Sequence, residues 1–449
     1  LFFCFRAVTR PVIADKVSRT ELVNRTRGLV SSFLLAETSV AKLSKVEELN
    51  HHFTEFPSSR IIALKNSHFV CTLLRISERS SNEKLKERSR QCLSILGYVD
   101  DPKGAGIRIL SIDGGGTRGM MCLEVLQVLE NSLCGPKLSD VFDYIIGVST
   151  GAIIAVLITA KGFSIKTCKE YYMQMSKDLF NQGRLSGVSG LLTSHSYYNT
   201  KKWVRLLKQV VGEDSALMDS CCRKGAPKLG VVSSIANTPA LQPYIFRNYD
   251  LLPGRESHFK GGCDFLLWQA IQASAAAPGY FEEVALGPIL HQDGGILANN
   301  PTALALHEAR LLWPNERILC VVSIGSGRSV VPMEPTELKL ATGLQDKITR
   351  IVDSATDTEL VHLAMQDLLP ADSYFRFNPY MSSNYSLDEV DSEKLVQMGQ
   401  DAQLYLRRNR AKIKAAAATL LKKPSVYRRF IRFARHFSNL QGFFLPPVF

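Results

Sequence analysis

Apolar residues recur at three- and four-residue spacing through the first part of the chain. Glu21 to Leu35, Thr38 to Phe53, Arg60 to Ile76 and Glu83 to Leu96 all carry this pattern, which lines one face of a helix. Polar breaks at Pro57-Ser58-Ser59 and Ser80-Ser81-Asn82 separate some of these stretches. Residues 1–98 therefore read as a helical region, either an armadillo-like array or a cap packed on the next domain. No clean repeat signature decides between the two.

Residues 99–106, rich in Asp, Gly and Pro, read as a linker. The pattern then changes. Ile107 to Ile112 and Val141 to Val148 are short apolar runs, each feeding a longer helix-like segment. Lys228 to Ala236, Leu241 to Asn248, Pro288 to Gln292 and Arg317 to Ile324 are further strand candidates. Strands alternating with helices predict an α/β domain, a parallel or mixed sheet covered on both faces, over residues 107–330. Beyond it, Glu337 to Leu369 and Glu393 to Leu421 read as helices around a polar loop at Asn378 to Asp388, making residues 331–449 a helical extension.

Composition is that of an ordinary globular chain, with 45% hydrophobic and 21% charged residues. The charge is not evenly spread. The formal net charge is +12, yet no acidic residue follows Asp401, whereas eleven Lys and Arg do. A basic tail on a near-neutral body points to an anionic surface, either lipid headgroups or nucleic acid. Ten cysteines without C-x-x-C spacing fit reduced thiols in an intracellular compartment. The most apolar window, Ile145 to Ala160, is short and interrupted by Gly147, Ser149, Thr150 and Gly151, so membrane contact is expected to be peripheral. The chain starts at Leu1 rather than Met, which reads as a fragment or processed form.

Three constellations carry chemistry. Gly147-Val-Ser-Thr-Gly151 is a G-x-S-x-G between an apolar strand and a helical run. That context presents a serine on a sharp turn, with small neighbours letting strand and helix approach; the competing reading is a helix N-cap. Asp113-Gly-Gly-Gly-Thr-Arg-Gly119 follows the first strand and contains G-x-G-x-x-G at Gly114, Gly116 and Gly119. A dinucleotide site would want an acidic residue at the end of the next strand, but Glu130 falls in a helix and Asp140 in a loop. No Gly-Lys-Ser/Thr follows, which excludes a P-loop. The loop can equally aim N–H groups at a developing oxyanion. Asp293-Gly-Gly295 places a carboxylate on a sharp turn at a strand end, a common turn feature when alone.

Taken together, in this order, these motifs resemble the patatin-like phospholipase family. Ala273-Ser-Ala-Ala-Ala-Pro278 and the following Phe281 are similar to that family's segment before its catalytic Asp. The resemblance runs over roughly Ile107 to Ser329, and the flanking segments resemble the calcium-independent phospholipase A2 gamma group in particular. It implies a three-layer α/β/α hydrolase domain. It further implies Ser149 as nucleophile, Asp293 as general base, and Gly114, Gly115 and Gly116 as the oxyanion hole. Arg118, Gly119, Gly147, Gly151, Gly294 and Gly295 would support that machinery. No cofactor and no metal are implied, and the substrate would be a membrane phospholipid.

Two other readings compete. A Ser-acid-His triad would draw on His307, His362 or His436, with His291 two residues before the acid; the dyad is the stronger reading. A lipid-binding scaffold with a relic site is the second. In the tail, Val426, Phe430, Phe433, Phe437 and Leu440 share one helical stripe, and Arg428, Arg429, Arg432 and Arg435 fall largely off it. This favours an anionic bilayer over nucleic acid, with those arginines and Phe430, Phe433 and Phe437 as contacts. Packing of the same helix on the hydrolase core is the plainer alternative. The expected setting is intracellular and membrane-associated, at endoplasmic reticulum, mitochondrion or peroxisome.

Overall fold

The computed structural model describes residues 18–180, 198–329, 358–383 and 385–443. Five helices come first: α1 (Arg19–Leu35), α2 (Ser39–Glu55), α3 (Arg60–Leu64), α4 (Ser67–Arg79) and α5 (Glu83–Ile95). The run expected from Arg60 to Ile76 is two helices, because the Asn66 side chain accepts the Phe69 N–H at 3.1 Å and caps a new start. Phe33, Phe53, Phe69, Leu49 and Leu73 fill a core of their own, joined to the next domain through Met218, Cys263 and Leu440.

The second unit is built on a nine-stranded sheet. Its strands are β1 (Ile107–Ile112), β2 (Tyr144–Val148), β3 (Lys228–Ile235), β4 (Gln242–Arg247), β5 (Lys260–Gly262), β6 (Val284–Leu286), β7 (Ile289–Asp293), β8 (Ile318–Ile324) and, after the two-residue β9 (Arg328–Ser329), β10 (Tyr374–Phe377). β9 pairs instead with β11 (Tyr380–Met381). The main order is β10-β8-β1-β2-β3-β4-β5. β10, β8, β1, β2 and β3 run parallel, and β4 and β7 both pair antiparallel with β3. Every residue of β1 and β2 is buried, as strands covered on both faces must be. Leu110 and Ile112 join the core on one face, and Ile107 and Ile109 the core on the other.

The covering helices are α6 (Gly119–Ser132), α7 (Thr150–Thr159), α8 (Ile165–Phe180), α9 (Thr200–Val211), α10 (Leu267–Ser274), α11 (Thr302–Leu312) and α12 (Glu359–Leu368). The apolar run from Val141 starts on the last residue of a one-turn helix, so β2 begins only at Tyr144. Of the helix expected over Glu337 to Leu369, the part before α12 lies outside the described residues. The sheet extends past residue 330, since β10 supplies its edge. The segment from Glu393 to Leu421 is two helices, α13 (Ser392–Arg408) and α14 (Arg410–Leu420), separated at Asn409, whose side chain returns to the Tyr405 carbonyl. The last helix is α15 (Val426–Leu440).

A buried ion pair ties α11, the helix after the Asp293 turn, to the sheet. Arg247 of β4 meets Glu308 through Nε (2.7 Å) and Nη2 (2.9 Å), and Tyr249 donates to the same carboxylate at 2.7 Å. Glu308 is fully buried. Glu308→Ala would strand the Arg247 charge, so the chain should lose about 3–5 kcal/mol of stability. Urea unfolding followed by tryptophan fluorescence checks this; an unchanged midpoint would show the pair to be dispensable.

Candidate active site

Ser149 follows the last residue of β2 and caps α7 with φ +52° and ψ −121°. A non-glycine residue in that conformation is strained, as a side chain held out at a strand-to-helix turn is. Two glycines make the turn possible. A Cβ on Gly147 would lie 2.1 Å from the Gly151 carbonyl oxygen, and one on Gly151 2.2 Å from that of Ile112. The Ser149 N–H donates to Ser274 Oγ at 2.8 Å, and Ser274 in turn donates to the Val232 carbonyl. Ser274 thus fixes the turn; it lies inside the Ala273–Pro278 segment singled out by sequence, with no role assigned there.

Asp293 ends β7, which pairs with β3 beside β2. Its Oδ2 accepts the Ser149 hydroxyl at 2.7 Å, and its Oδ1 accepts the Gly295 N–H at 2.7 Å. Gly294 packs so tightly under this turn that a Cβ would lie 2.4 Å from the Val232 oxygen. Burial pushes the Asp293 carboxyl up to about 6, against the opposing pull of the bonds from Ser149 and Gly295. That shift strengthens it as a base by roughly a hundredfold, yet leaves it mostly ionised at neutral pH.

The glycine loop lies alongside. Gly115 and Gly116 line one pocket with Ser149 and Asp293, and among the described residues their N–H groups make no internal hydrogen bond. Gly114 does something different from what was expected. Its N–H goes to the Asn299 carbonyl at 3.3 Å, and a Cβ there would lie 2.6 Å from Asn299 Oδ1, so it supplies close approach. Gly116 has φ +56°, and its carbonyl accepts from Thr150 Oγ1 at 2.8 Å and from the Tyr172 hydroxyl. Arg118 lines the pocket and reaches back to the Gly115 carbonyl, supporting the loop. A Cβ on Gly119 would collide with Thr150 Cγ2.

Distant residues hold the loop in place. Asp113 meets Arg376 of β10 at 2.6 Å with both side chains buried, and Arg376 also reaches Ser323 Oγ. Ser326 Oγ donates to the Gly114 carbonyl at 2.6 Å, and the Thr117 N–H to that of Leu387. Nothing in the local sequence marks Arg376, Ser326 or Leu387 as parts of the site.

Among the described residues no histidine completes a triad. The His291 ring bonds Ser233 Oγ at 2.9 Å and packs edge-on against Tyr244; burial lowers it to about 4, so it stays neutral. His307 bonds the His258 backbone, His362 the Tyr374 hydroxyl, and His436 pairs with Glu78. The pocket over the dyad is a cavity of about 380 Å³ walled by Ile153, Met175, Leu179, Phe180, Trp203 and Phe281. Such a wall suits an acyl chain with its carbonyl at Ser149.

The tail residues expected to meet a bilayer divide between two sides of the helix. Arg428 and Arg432 pair with Glu316 at 3.3 and 3.2 Å, Arg432 also bonds the carbonyls of Pro102 and Gly104, and Arg435 pairs with Asp101 at 3.0 Å. Arg429 is exposed, as are Phe430 (67%), Phe433 (67%) and Phe437 (54%). The arginines face inward because the linker and Glu316 offer oxygens that the aromatic stripe cannot use.

Titration of Asp293 gives this site a pH signature. Covalent labelling of Ser149 by a fluorophosphonate should fall as pH drops through about 6, the proton-accepting form being lost below it. Asp293→Asn should label slowly with no such limb; a pH-independent rate in the unaltered chain would remove Asp293 as the base.

A family model described as patatin-like phospholipase matches residues 110–306. Calcium-independent phospholipase A2-gamma of Oryctolagus cuniculus is 42% identical over 417 residues, 92% of this chain and 52% of that protein. The protein of that name from Homo sapiens has the same identity and coverage. Phospholipase A I of Arabidopsis thaliana is 33% identical over 340 residues, 64% of this chain and 26% of its own length. The chain spans about half the length of the mammalian relatives it matches.

Proposed function

The chain belongs to the patatin-like phospholipase family, and on that premise we propose that it hydrolyses fatty-acyl esters of membrane glycerophospholipids without calcium. The reading covers phospholipase A1 or A2 action, with lysolipid as a further substrate. The observation that carries it is the 2.7 Å bond from Ser149 Oγ to a buried Asp293 at the foot of an apolar pocket.

The chemistry follows from that bond. Ser149 Oγ attacks the ester carbonyl carbon while its proton passes to Asp293 Oδ2, and the carbonyl oxygen becomes an oxyanion facing the N–H groups of Gly115 and Gly116. The tetrahedral centre collapses, the lysolipid oxygen takes the proton from Asp293, and the acyl group stays on Ser149. Water then attacks the acyl-enzyme with Asp293 as base again, releasing fatty acid and restoring the serine. The protein holds donors in place before charge develops, which avoids reorganisation during the step.

Fatty-acid release from mixed-chain phosphatidylcholine vesicles in excess chelator tests this. Asp293→Asn should be slower by about 10²–10⁴-fold, and Ser149→Ala should be silent. If the unaltered chain bound vesicles yet neither released fatty acid nor took up a fluorophosphonate, the lipid-scaffold reading would replace this one.

The peripheral membrane contact belongs to the same proposal, carried by the outward face of α15. Phe430, Phe433 and Phe437 stand exposed beside Arg429, Lys422 and Lys423, with no acidic residue after Asp401 to oppose an anionic bilayer. Among the described residues no helix is long and apolar enough to cross a membrane. Replacing the three phenylalanines with serine should lower co-sedimentation with anionic vesicles about tenfold or more, given roughly 0.8 kcal/mol per buried CH₂, while Ser149 labelling in solution stays unchanged. Undiminished sedimentation would exclude this face.

A further inference from the structure

At the end of the strands opposite Ser149, a second cavity of about 130 Å³ opens between α4, α5, the linker, the loop before β3 and α15. Five Lys and Arg residues line it: exposed Arg223, which pairs with Asp140, exposed Lys224, and three from three different elements, Arg90 of α5, Lys103 of the linker and Lys228, the first residue of β3. Each of these three is held by neutral atoms. Lys228 Nζ donates to Ser94 Oγ at 3.1 Å, Arg90 to the carbonyls of Ser77 and Cys222, and Lys103 Nζ to those of Ser139 and Phe142. None of the three forms a salt bridge among the described residues.

The carboxylates around them are mostly committed. Asp143 accepts the backbone N–H groups of Lys103 and Arg108, each at 2.8 Å; Glu78 pairs with His436 and Asp101 with Arg435. Asp143 offsets part of the Lys103 charge, and Cys221 followed by Asp100 part of that on Lys228, but Lys224 adds another positive charge at the exposed rim. The balance stays positive. Burial lowers Lys103 to about 8 and depresses Lys228 as well, as happens to ammonium groups short of an anion. Folding has therefore gathered cations that cost stability where they sit, and their neighbours relieve them only in part.

We infer that this cavity binds a phosphate group, with Lys228, Lys103 and Arg90 donating to its oxygens from three sides. The space holds about four waters' worth of volume, enough for one tetrahedral oxyanion. Donors converging from three elements suit its several oxygens better than the two of a planar carboxylate. The phosphate comes either from a lipid headgroup or from a soluble phosphate ester. The wall favours the lipid source, because His436 lies on α15 between the exposed Phe433 and Phe437.

Cys221, partly exposed on the cavity wall, gives a local readout. Inorganic phosphate added to the full chain, against chloride of matched ionic strength, should slow iodoacetamide alkylation of Cys221 about tenfold once it exceeds its Kd about tenfold. Exposed Cys134 should react at an unchanged rate, as the internal control. Lys228→Met should abolish the protection, and Lys224→Gln, at an exposed position where folding is not at stake, should weaken it a few-fold. Co-sedimentation with phosphatidylcholine vesicles containing phosphatidate then separates the sources. Retention lost in Lys228→Met identifies a lipid headgroup, and retention unchanged beside lost phosphate protection identifies a soluble ester. No phosphate-specific protection of Cys221, or equal protection in Lys224→Gln and the unaltered chain, overturns the site.

Discussion

The Ser149–Asp293 hydrogen bond is the constraint on which the rest of the catalytic unit depends. Its two ends belong to different strand termini far apart in the chain, and 2.7 Å leaves almost no tolerance. β3 supplies the solution by pairing along one edge first with β2, over Lys228 to Val232, and then with the antiparallel β7, over Ser233 to Ile235, while β4 takes the other edge. That arrangement brings the exit of β2 and the exit of β7 to the same place. Ser274 then fixes the serine turn to β3, and the Gly295 N–H fixes the carboxylate's second oxygen. Both partners reach the bond already oriented.

Burial sets the energetics as well as the geometry. On the proposed reading Asp293 is the base; an exposed aspartate would be a weaker one, and apolar surroundings raise its carboxyl to about 6. The same surroundings make an anion expensive, and the site meets that cost locally with one O–H and one N–H donor. Arg376 plays the matching part beneath the glycine loop, where Asp113 would otherwise be a buried charge without a counter-ion. In each case a polar group essential to the site is paired by a residue from another segment.

That division explains how much was legible in the sequence. The Ser149 and Asp293 turns, the glycine loop and β1 at Ile107–Ile112 could be read because each rests on a few adjacent residues whose types follow from local geometry. Gly147 and Gly151 are small because two backbones nearly touch there. Arg376, Ser326 and Leu387 carry no comparable mark, since their roles come from strand order and long-range contact. The splits at Asn66 and Asn409 were missed for a different reason: apolar spacing continues across each break, and only the asparagine's own hydrogen bonds reveal it. Gly114 was assigned to the oxyanion hole by motif, but a motif does not say which of three neighbouring N–H groups is already engaged.

α15 shows the same limit at the level of a whole helix. Periodicity correctly separates its aromatic stripe from its arginines, but it says only which residues share a face, not which face turns inward. The usual assumption buries the apolar side. Here Glu316, Asp101 and the linker carbonyls meet Arg428, Arg432 and Arg435, so the charged side docks and the phenylalanines are left outside. The anchor points also fix where the helix sits. Ala105 and Glu316 lie two residues before β1 and β8, whereas Ser149 follows the opposite end of the parallel β2. A bilayer held by this helix therefore lies at the far end of the strands from the serine. On the proposed reading, the pocket lined by Tyr385 and Leu387 would therefore take its lipid at one end of the strands, and the tail would attach at the other.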